Sequence, residues 1–295
     1  MISKILWTAM LAWMVAGCAA APQTVVMKDS DISFAEGTII SGQTGQPVAY
    51  ADLLADLAAV RVVYIGERHT DPAHHRIQLQ LIRDLAGIHS DMAVGMEMFD
   101  FTYQPVLDQW SAGSLAETDF LEKVQWYANW RFPFSLYRDI LTFVKDNNLR
   151  LVGLNVPSYI PSRVRVGGID NLLESDKIHL PQNIDTTNEA HRAYLEPIFK
   201  HHHFSGNTNF EYFYQAQCLW EDTMAASIDR QLGDDVMVVL AGNGHIIYKF
   251  GIPDRTYALN GAAFRTIFLA PVGNEVALSY ADYIWVTPPK EKHGM

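Results

Sequence analysis

Val60-Arg61-Val62-Val63-Tyr64-Ile65-Gly66-Glu67-Arg68-His69-Thr70-Asp71 decides how this chain is read. The run up to Ile65 is short, β-branched and apolar, the pattern of a strand covered on both faces in a parallel sheet. It stops at Gly66, and Glu67 and His69 follow at once. Ligands and reacting groups of open α/β sheets gather beyond the carboxyl ends of the strands, so these two side chains stand where a crevice is expected. Two further strands repeat the design. Met92 to Met98 delivers Glu97, and Val236 to Ala241 delivers Asn243 and His245 through Gly242 and Gly244. A core sheet needs no such polar set for its own stability.

Outward from this stretch, Thr70 and Asp71 offer N-cap chemistry and Pro72 suits a first helical turn. Ile77, Leu81, Ile82 and Leu85 then keep helical spacing, which completes a β-α-β unit. Upstream, Tyr50 to Leu57 reads as a short helix, and Gly37 to Ile40 with Pro47 to Ala49 as a small hairpin. Downstream, helices are expected around Gln104 to Trp110, Leu115 to Tyr127 and Ser135 to Asp146, then a strand from Arg150 to Asn155. From about 157 to 234 no strand is expected, and the patterns at Ala190 to Phe199 and Phe210 to Leu232 give a helical insertion. Strands return at Val236 to Ala241 and Thr266 to Ala270, with a weaker one at Arg255 to Asn260. The fold class is therefore α/β: a mainly parallel sheet flanked by helices, with a smaller helical subdomain.

The 295 residues, about half of hydrophobic type, suffice for one large domain with a subdomain. A formal net charge of -11 with no basic stripe disfavours nucleic acid as a partner. At the amino end, Lys4, the apolar stretch Ile5 to Met14 and Val15-Ala16-Gly17-Cys18 resemble a bacterial lipoprotein signal over residues 1–17. Cys18 becomes the acylated first residue of the mature chain on this reading, residues 18–36 a tether, and 37–295 the domain. Ala19 in place of Asp favours the outer membrane. Cys218 lies among Phe213, Tyr214, Leu219 and Trp220 and reads as a buried, inert thiol.

Glu67 and His69, two residues apart, suit an acid/base pair, or metal ligands together with Glu97 and His245; the plain alternative is a turn cap and a helix start. One of His74 and His75 is expected to turn to the crevice and the other to solvent. Gly242-Asn243-Gly244-His245 allows close backbone approach and amides aimed at an anion. It lacks the third glycine of a dinucleotide site, and no Gly-X-Ser-X-Gly elbow exists. His201-His202-His203 reads as a solvated loop from which His203, beside Phe204, could reach a ligand. Phe210 to Trp220 is too aromatic for an exposed helix.

Gly66-Glu67-Arg68-His69 with His74-His75, Gly95 to Phe99, Trp130, Pro133 to Tyr137, Ala216-Gln217 with Asp222, Met224 and Ala225, and Ala241 to His245 together resemble the ChaN-like haem-binding lipoproteins. These belong to a wider group with the Tiki proteases and erythromycin esterases, and the likeness runs from about Val60 to Pro253. It implies haem as cofactor, bound at the outer membrane in support of a haem-uptake receptor, with a homodimer left open. It also implies a tyrosine on the iron, for which Tyr137, Tyr159, Tyr212 and Tyr214 are the candidates, with His203 and Asn243 as further cofactor-binding residues and Lys177 and Lys200 for the propionates. A ferric iron takes a hard phenolate oxygen readily. The alternative from a different class is a metal-dependent hydrolase, using a divalent metal and Glu67, His69, Glu97 and His245 at the sheet's carboxyl edge.

Overall fold

The computed structural model describes residues 23–30, 32–201 and 209–290. Cys18 and His203 lie outside them. The described chain opens with three short strands, β1 (Thr24–Met27), β2 (Ser33–Ala35) and β3 (Ile39–Ser41), and the helix α1 (Tyr50–Ala58). β4 (Val62–Glu67), α2 (Pro72–Ala86) and β5 (Met92–Asp100) form the expected β-α-β unit. Then come α3 (Gln104–Ser111), α4 (Glu117–Lys123), α5 (Trp126–Asn129), α6 (Arg138–Asp146) and β6 (Arg150–Asn155). The helical stretch contains α7 (Tyr159–Gly167), α8 (Glu174–Lys177), α9 (Glu189–His201) and α10 (Phe210–Leu232). β7 (Val236–Gly242), α11 (Ile252–Asn260), β8 (Phe264–Pro271), β9 (Glu275–Val276) and β10 (Tyr283–Thr287) close the fold.

The main sheet has the order β3-β10-β8-β4-β7-β5-β6, parallel throughout except for β3 at one edge. β4 is buried along its whole length, as its unbroken apolar run requires. Its side chains still alternate between two cores, because successive residues of a strand face opposite sides. Val63 and Ile65 pack with Leu81, Ile82 and Ile140 on the side of α2 and α6, whereas Val62 and Tyr64 pack with Met224, Ile228 and Leu232 of α10. Two helical layers thus cover the sheet.

Four expectations differ from the structure. Residues 255–260 are helical, not a strand: Pro253 sits in the first turn of α11, and Gly261 stops the helix in the left-handed region at φ +66°. The expected hairpin shrinks to an isolated bridge between Ile40 and Pro47, because β3 pairs with β10 instead. Part of the stretch read as a tether is folded, since Val25 and Met27 are fully buried and β1 pairs with both β2 and β9. Finally, Tyr283 to Thr287 is a main-sheet strand that the reading above did not anticipate.

Candidate functional site

β7 enters the sheet between β4 and β5, so three strand ends far apart in sequence lie side by side, each about 4.8 Å from the next. Glu67 is in register with Gly242, and Met96 with Leu240. The glycines leave room for the turn after β7: a Cβ on Gly66 would stand 2.1 Å from Asn243 Oδ1 and 2.6 Å from Ile246 Cδ1. Gly66→Ala is accordingly expected to destabilise the fold by about 1–3 kcal/mol, the usual effect of overpacking. Urea unfolding checks this, and a change below 0.5 kcal/mol, on the order of an ordinary surface substitution, would contradict it.

Glu67 is buried and fully occupied. Its Oε1 accepts hydrogen bonds from Tyr137 Oη at 2.5 Å and from His69 Nδ1 at 2.8 Å, and its Oε2 accepts one from Gln78 Nε2 at 2.8 Å. Burial works to raise the Glu67 pKa, but His69 first, then the charge of His75 and the other partners, bring it below the ordinary value. Burial likewise opposes the charged form of His69, and Glu67 and Glu97 outweigh it, so the His69 pKa is raised. His69 is braced by Trp130 and Phe132, with ring centroids 4.7 and 5.1 Å away. His74 and His75 are both buried, and neither faces solvent. The first turn of α2 lies against the sheet edge, where His74 Nδ1 accepts from the Arg68 amide at 2.9 Å and His75 Nε2 lies 3.3 Å from the His69 carbonyl.

The second half of the site is a buried chain of charges. Glu97 Oε2 accepts the Gly242 amide at 2.6 Å, and its Oε1 lies 3.5 Å from His245 Nε2. On the other side of the ring, His245 Nδ1 is 3.3 Å from Glu221 Oε1, an oxygen that also accepts from Gln217 Nε2 at 2.7 Å. Burial alone would strip the proton from His245, but the two carboxylates hold its pKa up at about 10. The same burial would raise Glu97, and His245 above all reverses this and brings it to about 2. Glu221 Oε2 in turn approaches Arg255 Nε at 3.5 Å and His191 Nε2 at 3.7 Å, and Arg255 also pairs with Asp222. Glu221, Arg255 and His191 escaped the sequence reading. The signal they leave is faint: a Gln217/Glu221 pair at i, i+4 inside an aromatic helix.

His69, Glu97 and His245 open into a cleft of about 220 Å³, walled by Trp130, Phe132 and Trp220 and floored by Met98, Asn155 and Val156. Three of the four expected catalytic residues thus meet in one crevice, with Glu67 directly behind His69. Among the described residues no group of three or more His, Cys, Asp or Glu side chains could hold a metal ion. The donor set explains this. The carboxylate oxygens already take hydrogen bonds from protein groups, while metal ligation needs neutral imidazoles and both crevice histidines are held toward the protonated form. The divalent-metal alternative is therefore not supported.

The cofactor candidates scatter. Tyr137 is buried with its phenol committed to Glu67, and Tyr214 is buried with its hydroxyl donating to the Asn188 carbonyl at 2.9 Å. Burial first, then Glu67 for Tyr137 and Cys218 for Tyr214, raises both pKa values, so neither is poised as a phenolate. Tyr212 is half-buried beside Gly168. Tyr159 is 44% exposed at the start of α7, next to the crevice-lining Ser158. Asn243 turns back into the sheet and donates to the Leu269 carbonyl at 3.1 Å, which makes it a brace for the turn. Cys218 is buried, and burial pushes its thiol up to about 12.

The fold that carries this site has counterparts among solved structures. One is ChaN of Campylobacter jejuni, whose solved structure is of cofacial haem binding, with a TM-score of 0.70 and 20% identity over 84% of this chain and 95% of that one. Another is the erythromycin esterase EreC, a mutant in its open conformation, with a TM-score of 0.50 and 14% identity over 88% of this chain and 99% of that one. At such identities the likeness is one of fold. Residues 53–256 match the family model of haem-binding uptake proteins, Tiki superfamily, ChaN, and the chain belongs to that family. No curated protein matches it.

Proposed function

We propose that this chain is a lipid-anchored haem carrier of the outer membrane, acylated at Cys18, that binds haem for delivery to a haem-uptake receptor. The family match over residues 53–256 supports the haem-binding part of this reading, and Val15-Ala16-Gly17-Cys18 supports the anchor. The fit of the residues bears on where the haem lies. At about 220 Å³ the strand-end cleft falls short of the roughly 300–1,000 Å³ typical of pockets for drug-sized ligands, so it does not enclose a macrocycle. The outer face of α7 and α8 suits one better. Tyr159 stands there with Arg163 5.1 Å over its ring, beside a shallow hollow of about 500 Å³ lined by Ser162, Arg163, Val166, Asn171 and Leu173. Val166 on α7 and Leu173 and Ile178 at the two ends of α8 are 71, 57 and 77% exposed, an apolar surface uncovered among the described residues.

Ferric haem supplies an open axial position, and Tyr159 is the tyrosine of the four best placed to fill it. A site this open would not enclose the haem. That suits the cofacial haem binding described for the Campylobacter jejuni protein, and a second copy meeting this one across the haem is part of the proposal.

The expected result of a haemin titration of the chain lacking Met1 to Cys18 is a saturable Soret shift with a tyrosinate charge-transfer band. Tyr159→Phe should remove the band and weaken binding at least tenfold (about 1.4 kcal/mol or more), and Tyr137→Phe should leave it in place. Loss of the band in Tyr212→Phe alone would move the ligand to α10. A second reading, acid–base hydrolysis in the crevice, is favoured by one observation: His245 is held between Glu97 and Glu221 while it faces the cleft. Absence of saturable haemin binding, together with ester turnover lost in His245→Gln, would put that reading first.

A further inference from the structure

The position of the first described strand is fixed by the sheet. Thr24, the first residue of β1, accepts a hydrogen bond through its carbonyl from the Gly273 amide at 2.8 Å, two residues past the carboxyl end of β8. β1 then runs with β9 away from that edge, and β2 brings the chain back, so that the Gly37 amide reaches the Val286 carbonyl near the carboxyl end of β10. Val25 and Met27 bury themselves against Ala270, Val272, Ile284 and Val286, which pins this arrangement with a core of its own. The amino-terminal exit of the domain therefore lies on the same edge as Glu67, Glu97 and His245, the carboxyl edge of the parallel strands.

Between Cys18 and Thr24 there are six residue steps, which fully extended reach about 20 Å. β8 alone, eight residues long, spans about 26 Å from one edge of the sheet to the other. A lipid on Cys18 is thus too close to the carboxyl edge for the amino edge to turn to the bilayer. We propose that the anchored protein stands with the carboxyl edge of its sheet against the membrane, so that the crevice opens at the lipid surface. This rests on the acylation of Cys18 in the reading above. The occupant of that edge is a phospholipid head-group layer, and the rim is suited to one. Trp130 and Phe132 line the cleft, Tyr127 is 64% exposed on α5, the helix that leads into Trp130, and such amphipathic rings favour the boundary between water and lipid. Ligands that partition into the bilayer would reach the crevice without crossing bulk solvent, and the α7–α8 face would stand beside the membrane rather than opposite it.

The test uses the full acylated chain in vesicles of phosphatidylethanolamine and phosphatidylglycerol that carry a nitroxide on the head group. A fluorophore is placed in turn on Tyr127→Cys and Glu275→Cys at the carboxyl edge and on Asp234→Cys, which precedes β7 at the amino edge. Quenching is expected to be at least threefold stronger at the first two positions. Insertion of about twenty Gly/Ser residues after Ala19 should erase the difference, because a flexible linker of that length lets the domain turn freely. Mass spectrometry of the amino-terminal peptide separates the two ways of failing. Equal quenching on a chain with acylated Cys18 overturns the orientation alone, and an unmodified Cys18 overturns the anchor and the orientation together.

Discussion

Glu221→Ala is expected to lower the stability of the protein by about 3–5 kcal/mol, the usual effect of removing one partner from a buried ion pair. Glu221 is fully buried and lies between His245 on one side and Arg255 and His191 on the other. Its loss leaves His245 with Glu97 as its one carboxylate partner and deprives Gln217 of its carboxylate acceptor. For a domain of this size the change corresponds to a fall in Tm of roughly 6–20 °C. Urea unfolding of the chain without Met1 to Cys18 provides the measurement, with Glu221→Gln, which keeps the shape and one acceptor oxygen, expected to lie between the two. A loss under about 1 kcal/mol would mean that the charges of α10 are solvated in a way that the burial of Glu221 does not allow.

The pH profile should show two flanks. Glu97 titrates at about 2 in the folded chain against an ordinary value of 4.5. The stability it contributes is present above 4.5 and disappears as pH falls toward 2. His245 titrates at about 10 against an ordinary 6.5, so its contribution is complete below 6.5 and disappears as pH rises to 10. The contribution of this pair is complete from about pH 4.5 to 6.5, with a loss on the order of 3 kcal/mol on the acid side; over the same interval His74, whose burial lowers its pKa to about 4, adds a rise in stability with pH, so the maximum is expected near pH 6.5. Glu97 and His245 are halves of one interaction, and the flanks report it twice rather than adding. Urea midpoints from pH 3 to 9.5 would show this, and His245→Gln should flatten the alkaline limb. A wild-type profile that stays level from pH 6.5 to 9.5 would contradict the assignment of a charged His245.

What could be read from the residues was whatever local pattern controls. β4, β5, β6 and β7 are strands because apolar, β-branched runs stop at glycine or at a polar residue. Glu67, His69, Glu97 and His245 were legible because they follow those stops. β10 escaped because Tyr-Ile-Trp-Val-Thr lies among turn residues near the end of the chain and resembles a surface aromatic patch until β3 and β8 flank it. The helix α11 read as a strand because Arg255 and Thr256 are buried by ion pairing and by packing on α10, which no hydropathy pattern records. Tyr137 looked like a ligand because only the tertiary fold brings its hydroxyl to Glu67. Glu221 was hidden for the converse reason, since a carboxylate inside an aromatic helix has no meaning until His245 arrives from β7.

The late entry of β7 also governs how the chain comes to be whole. β4 and β5 are made early, yet their facing edges stay unpaired until α10 has been completed and β7 can slide between them. Through that interval two long apolar strands expose open backbone, the condition under which edges capture other chains. The crevice exists only once β7 lies between β4 and β5, so binding there reports that these three strands have come together.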